Sequence, residues 1–275
     1  MRWGLFVGAM FTGALLLFAA KRPITIKDML SYDSPSEPRV TWAPDGKAFV
    51  YEENGSVYLQ KTTDSKPDVW FETSKLESSA KAPAASAKFE WQNRRVAEHE
   101  FQWFPNAKDL LTSVKGDLFV VHPDGKYDQI TATEVPEEDP KLSPDGKEVL
   151  YRSNANLYVL NLESRQIRQL TTDGNPMLLD GQLDWVYPEE LELHTASWWS
   201  PDSKQIAYLQ FDVSHEFIYP QADLLGRRAV SEPERYPQAG TPNASVRLGV
   251  VSAQGGPTKW MRAGNSPDKL LARVA

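Results

Sequence analysis

Cysteine is absent from all 275 residues. That excludes a disulfide framework, a thiolate nucleophile and a cysteine-type zinc site, so packing and hydrogen bonds alone must hold the fold. Histidine is scarce: His99, His122, His194 and His215 never fall four apart on a helical pattern, and no His-Glu-x-x-His occurs. No metal and no cofactor are therefore assigned. Positive charge is also in short supply, with 30 Lys and Arg against 37 Asp and Glu and a net charge of -7. Without a basic field to neutralise phosphates, nucleic acid is not an expected partner. Gly-x-Ser-x-Gly, the turn that exposes a serine nucleophile, occurs nowhere in the chain. No catalytic residue is assigned.

What is present is a globular composition, 41% hydrophobic and 24% charged, in a chain long enough to bury a sizeable core. The first residues follow a different rule. Arg2 precedes an uncharged apolar run from Trp3 to Ala20, which Lys21-Arg22-Pro23 closes. A buried core helix is the competing reading, but cations at both ends of an extreme N-terminal run mark an export signal. Cleavage after Ala20 would put bulky Phe18 where a small residue is wanted, so residues 1–20 read as a signal peptide or a membrane anchor. Residues 21–40 then lead into a domain spanning 41–275, and the chain is expected to be exported: periplasmic, secreted or membrane-anchored through residues 3–20.

From Thr41 onward a block recurs in which an apolar or aromatic head and a Pro-Asp turn lead into two strands. Four copies are legible: Trp42-Ala-Pro-Asp-Gly-Lys47, Trp103-Phe-Pro-Asn-Ala-Lys108, Leu142-Ser-Pro-Asp-Gly-Lys147 and Trp199-Ser-Pro-Asp-Ser-Lys204. Pro sets φ for the turn, Asp bonds its own backbone, and Gly or Asn is expected to take the positive φ. Each head reads as a core knob inside its own blade. The heads lie 39 to 61 residues apart, against roughly 40 to 50 for a propeller blade. The class is all-β, and the architecture a partial β-propeller with two insertions; a β-sandwich would not need the same head four times. Ser74 to Lys88 reads as a connector or weak helix, and Glu134 to Asp139 as a solvated acidic turn.

One loop carries chemistry: Asp184-Trp185-Val186-Tyr187-Pro188-Glu189-Glu190, followed by Trp198-Trp199-Ser200-Pro201-Asp202. Pro188 suits the first position of a helix and two Glu complement its positive end, so a short helix is expected to start there. In such a turn Glu189 and Glu190 can converge, whereas on a strand they would point to opposite faces. Two ionised carboxylates only accept hydrogen bonds, and a peptide's free α-ammonium offers three donors and a positive charge. A solvated helix start is the competing reading.

This stretch resembles the dipeptidyl peptidase IV family. The likeness continues through Ala207 to Asp212, Arg235 to Asn243, Val246-Arg247-Leu248 and Leu271 to Val274, and more loosely at Ile24 to Leu30. It implies about four to five blades of a roughly eight-bladed propeller that covers an α/β-hydrolase domain. It also implies that Glu189 and Glu190 hold the amino terminus of a peptide substrate, while Asp184, Trp185 and Tyr187 support the loop. The family's propeller arginine has no convincing counterpart, since Lys115 in Val114-Lys115-Gly116-Asp117 cannot form a bidentate fork. The family's nucleophile, acid and histidine would lie in a hydrolase domain beyond Ala275. The resemblance thus implies the substrate-gating part of a serine exopeptidase releasing Xaa-Pro dipeptides, inactive alone and truncated before its catalytic domain. A non-catalytic periplasmic propeller acting as a binding or scaffold module is the alternative.

Overall fold

The structure, a computed structural model, describes residues 25–27, 39–81, 101–224, 227–264, 269–271 and 274. Two compact units are present, Met1–Glu37 and Pro38–Ala275. In the first, Ile26 and Lys27 are helical. The apolar run at residues 3–20 lies outside the described residues, as do most of the segment 24–30 and residues 82–88 of the connector. Among the described residues no helix is long and apolar enough to cross a membrane.

The second unit contains three antiparallel four-stranded meanders in chain order. They are β1 (Thr41–Trp42), β2 (Ala48–Glu53), β3 (Ser56–Lys61) and β4 (Asp68–Glu72); β5 (Phe101–Trp103), β6 (Leu110–Val114), β7 (Asp117–Val121) and β8 (Tyr127–Gln129); and β9 (Glu138–Leu142), β10 (Glu148–Ser153), β11 (Asn156–Asn161) and β12 (Ile167–Gln169). The fourth sheet elaborates the plan. Here β13 (Leu178–Asp180) and β14 (Ser197–Trp199) share one edge of β15 (Gln205–Asp212), with β18 (Ser245–Ser252) and β19 (Lys259–Trp260) on its other side. A separate hairpin, β16 (Ile218–Asp223) with β17 (Val230–Arg235), lies between β15 and β18 in the chain. Two short helices, α1 (Thr73–Ser79) and α2 (Val186–Glu190), lie outside the sheets.

The repeat seen in the sequence is an exact register in space. Each head pairs with the residue seven positions on: Trp42 with Phe49, Trp103 with Leu110, Leu142 with Val149 and Trp199 with Ile206. Between them Asp45, Asn106, Asp145 and Asp202 accept the backbone N–H two residues ahead, at 2.9–3.2 Å. The positive φ falls on the next residue, which is Gly46 and Gly146 in two copies but Ala107 (53°) and Ser203 (59°) in the others. Glycine is thus preferred there and not required. In the first three sheets the second and third strands join through two-residue turns with both central φ positive: Asn54-Gly55, Lys115-Gly116 and Asn154-Ala155. That geometry matches the twist of the flanking strands. The fourth sheet replaces this turn with residues 213–244, between Asp212 and its partner Ser245.

Alternation along each strand builds the core between sheets. Leu110, Val114, Phe119 and Val121 pack with Val50, Val57 and Phe71 of the first sheet, while Leu111, Leu118 and Val120 pack with Val149, Tyr151 and Leu160 of the third. The next residues, Leu150, Leu157 and Val159, meet Ile206, Tyr208 and Val251 of the fourth. The second and third sheets are buried on both faces by their chain neighbours, which is the stacking of propeller blades. Leu76 of α1 is fully buried against the first two blades, so the start of the expected connector is part of the core.

The heads act between blades more than within them. Trp103 Nε1 donates to Thr41 O at 3.0 Å and Trp199 Nε1 donates to Lys141 O at 3.0 Å, in both cases the residue before the preceding head. Leu142 has no indole. There the Gln102 amide donates to Pro140 O (2.5 Å) and accepts from Leu142 N (2.9 Å). Trp103 and Trp199 are only half-buried, and Trp42 is 52% exposed. The expectation of deep burial inside each blade is corrected accordingly, because the indole must lie over its neighbour to reach a carbonyl. On the outer side, Trp70 Nε1 donates to His122 O (2.9 Å), and the His122 ring lies 2.8 Å from Asp109 Oδ1 and 3.4 Å from Asp128 Oδ2.

Two outcomes follow from this arrangement. Trp103→Phe should lower unfolding free energy by ~1 kcal/mol through its unpaired carbonyl partner, whereas Trp42→Phe should stay within ~0.5 kcal/mol in a urea titration. The hydrogen bond to Asp109, aided by Asp128, raises the His122 pKa. The protonated ring therefore stabilises the fold fully below its unfolded value, and that contribution disappears as pH rises through the raised folded value. His122→Gln should lower Tm by ~1–2 °C at pH 5.5 and by less at pH 9, the size being limited by solvent exposure.

Candidate functional site

The chemistry-bearing loop leaves the fourth blade at Gly181, whose φ is +66° and where a Cβ would stand 2.6 Å from Leu157 Cδ2. Only glycine lets the chain turn there against the third blade. Leu183 is buried, and buried Asp184 accepts the Tyr187 N–H on Oδ1 at 3.2 Å, an N-terminal cap. The helix α2 consequently starts at Val186, two residues before the expected Pro188. Pro188 is accommodated because first-turn N–H groups have no intrahelical acceptor to lose.

Within α2 the side chains divide sharply. Val186 and Tyr187 are buried among Leu183, Ala196, Leu209, Phe211 and Val246. The Tyr187 ring meets Phe211 edge-on at 4.7 Å, and its hydroxyl accepts the Leu271 N–H at 2.8 Å. Burial pushes the Tyr187 phenol up to about 12, so it remains neutral. Leu191 N and Leu193 N both bond Tyr187 O, at 3.2 and 3.1 Å, which folds the chain back directly after the helix. Half-buried Trp185 meets Tyr236 edge-on at 4.4 Å, and Tyr236 meets Tyr219 of β16 at 6.0 Å. Arg235 secures the base of that hairpin by donating to Val213 O (2.9 Å) and Glu216 O (3.2 Å).

Glu189 and Glu190 are the exposed end of this otherwise anchored helix. Among the described residues neither carboxylate has a hydrogen-bond or ion-pair partner. The five candidate residues thus come together on α2 and the two residues before it. Two acidic side chains face solvent, while Asp184, Trp185 and Tyr187 face protein. The pair can accept several hydrogen bonds from a cation and can donate none.

The acidic stretch before the third blade differs from its sequence reading. Glu137 and Asp139 are 2% and 6% exposed, and β9 begins at Glu138. Glu137 accepts from the hydroxyls of Thr131 and Thr133, both at 2.7 Å. Asp139 ion-pairs with Lys141, and Glu138 with Arg152 at 2.7 Å. The repeat could have revealed this: residues just before the other heads are strand, so Asp139 to Leu142 had to be strand too. Net acidity of the segment obscured that alignment.

Lys115 and Gly116 form a two-residue turn, with the Lys115 Nζ donating to Glu77 O at 3.1 Å. No group metal-binding in composition is formed among the described residues.

Known proteins resemble the chain in sequence and in fold. A family model described as the dipeptidyl peptidase IV (DPP IV) N-terminal region matches residues 96–275, more than half of the chain. The dipeptidyl aminopeptidase B of Saccharomyces cerevisiae is 36% identical over 136 residues, covering 47% of this chain and 17% of the yeast protein. A Pyrenophora tritici-repentis protein named "Probable dipeptidyl-aminopeptidase B" is 37% identical over 120 residues, covering 39% of this chain and 14% of that protein. The aligned stretches therefore span less than a fifth of these relatives' length. The crystal structure of Porphyromonas gingivalis dipeptidyl peptidase 4 superposes with a TM-score of 0.66 at 19% identity, covering 90% of this chain and 36% of the other. At that identity the likeness is one of fold, and it agrees with the blade stacking. The chain belongs to the family of the dipeptidyl peptidase IV N-terminal region.

Proposed function

We propose that this chain is the substrate-selecting propeller region of an exported serine exopeptidase of the dipeptidyl peptidase IV type. Glu189 and Glu190 hold the free α-ammonium of a peptide, and the bond is cut by an α/β-hydrolase domain outside these 275 residues. One observation carries the reading: two adjacent carboxylates stand exposed and uncommitted on a helix whose other side chains are held by the protein. A site fixed before binding avoids the ordering cost that a mobile glutamate pair would incur. Charge-assisted hydrogen bonds to an ammonium are each worth ~1.5–3 kcal/mol when desolvated.

The substrate partner is accordingly a peptide with an unblocked amino terminus. Because no Gly-x-Ser-x-Gly occurs in the chain, selection and cleavage are divided between domains. The apolar run between Arg2 and Lys21 supports a location outside the cytoplasm: periplasmic, secreted or anchored through residues 3–20.

Calorimetric titration tests the clamp. Ala-Pro-Ala should bind at least ~10-fold more tightly than N-acetyl-Ala-Pro-Ala, the equivalent of ~1.4 kcal/mol, and Glu189→Gln or Glu190→Gln should remove most of that difference. Affinity should fall as pH passes ~8, where the peptide amine loses its proton. Equal binding of the two peptides would refute the reading. Purified residues 21–275 should release no p-nitroaniline from Ala-Pro-p-nitroanilide, since no activated nucleophile can be assembled from them. Turnover that co-purifies with the chain through successive columns would contradict this division of labour.

A further inference from the structure

The loop bearing Glu189 and Glu190 begins at Gly181 and ends at Thr195, and both ends meet the third blade. At the far end the Thr195 hydroxyl donates to Asp139 Oδ2 at 2.8 Å. Asp139 is ion-paired with Lys141, whose Nζ also donates to Ser197 Oγ (3.1 Å) and Asp139 O (3.2 Å). At the near end Arg152, itself buried and paired with Glu138, directs Nη1 towards Gly181 O at 3.5 Å. The two consecutive acids of β9 thus take two cations, and each ion pair touches one end of the loop.

This arrangement is costly to build. Asp139 occupies the left-handed region at φ +49°, next to the irregularity in the β9–β10 register between Leu150 and Arg152. A non-glycine residue there stores ~1–3 kcal/mol of strain. Burial lowers the Lys141 pKa, opposed by Asp139, and a buried ion pair contributes little stability against an apolar replacement. Stability alone gives no reason for strain and two buried charges at this point. Geometry does, because the strained backbone aims Asp139 at Thr195.

We propose that Asp139 and Lys141, with Glu138 and Arg152 beside them, are positioning residues for the Glu189–Glu190 clamp, fixing both ends of its loop from the neighbouring blade. The inference rests on the clamp reading and adds the source of its rigidity. Val186 and Tyr187 fix the helix by packing, and the ion pairs fix its rotation by holding the chain on either side.

Thr195→Val tests it with the least disturbance, since the shape is kept and the loss is confined to the hydroxyl's bond to Asp139 (2.8 Å) and its longer contacts with the Ser197 backbone (3.3 and 3.4 Å). This variant should bind Ala-Pro-Ala about fivefold more weakly, bind N-acetyl-Ala-Pro-Ala unchanged, and show faster amide exchange at Leu191 and Leu193 with β10 and β11 unaffected. Thr195→Ser should restore both properties. Combined with Glu190→Gln, Thr195→Val should cause no further loss, because it acts through the clamp. The double variant Asp139→Gly/Lys141→Met, which leaves no lone buried charge and suits the positive φ, should fold and show the same weakened binding. If the wild-type chain does not distinguish the two peptides, the clamp fails and this role fails with it. If it does distinguish them and folded Thr195→Val binds as wild type, or its effect adds fully to that of Glu190→Gln, the positioning role alone is overturned.

Discussion

The hydrogen bond that the head-bearing strand of one blade sends to the head-bearing strand of the blade before it is the constraint on which the rest depends. Trp103 and Trp199 supply it through an indole N–H; where the third blade has Leu142 as its head, Leu142 N–H donates to the Gln102 amide oxygen of the second blade, and the Gln102 amide donates to Pro140 O in return. These bonds end close to a head residue, so they fix the relative height of successive blades as well as their contact. Apolar packing between the blades is stronger in total, but it is non-directional and would tolerate sliding. Directional bonds between the head-bearing strands remove that freedom, and the alternating side chains of Leu110 and Leu111 or Val149 and Leu150 then interlock on both faces.

The candidate site exploits a place where the blade plan is relaxed. In the fourth blade, β13 and β14 share one edge of β15, and the residues between them are released from the sheet. The released segment carries α2. Its inner face is secured by Tyr187 against Phe211, its flank by Trp185 against Tyr236, and its ends by polar contacts to the third blade. A loop with so many fixed neighbours can present two like charges side by side without a counter-ion, because the backbone cannot rearrange to separate them. Repulsion between them is moderated by solvent, in which both are exposed.

Buried charge is distributed with the same logic. Glu137 is satisfied by two threonine hydroxyls, and Glu138 and Asp139 by cations from the same blade. All lie in or just before β9, where the third blade meets the chain of the second at Gly116 and Thr131 and the loop of the fourth at Thr195. Polar contacts there give orientation at points that the hydrophobic core does not reach.

Local patterning was enough to read much of this from the chain. Four Pro-Asp or Pro-Asn turns at matching distances from an apolar head determined the blade count and the register, because turn chemistry acts over a few residues and leaves a local trace. Glu189 and Glu190 were legible for the same reason: adjacent acids after a proline imply a solvated turn. Trp103 and Trp199 read as core knobs inside their own blades but reach across to the blade before, since a period along the chain does not say which blade an indole covers. The start of α2 was set by Asp184 reaching Tyr187 N, and the burial of Asp139 by Lys141 and Thr195, one of them 56 residues away. The Asp184 cap spans three residues and is a local signal, whereas the bond between Asp139 and Thr195 is decided by tertiary structure alone, because whether a carboxylate is solvated or paired depends on what the folded neighbour brings to it, and sequence distance carries no record of that.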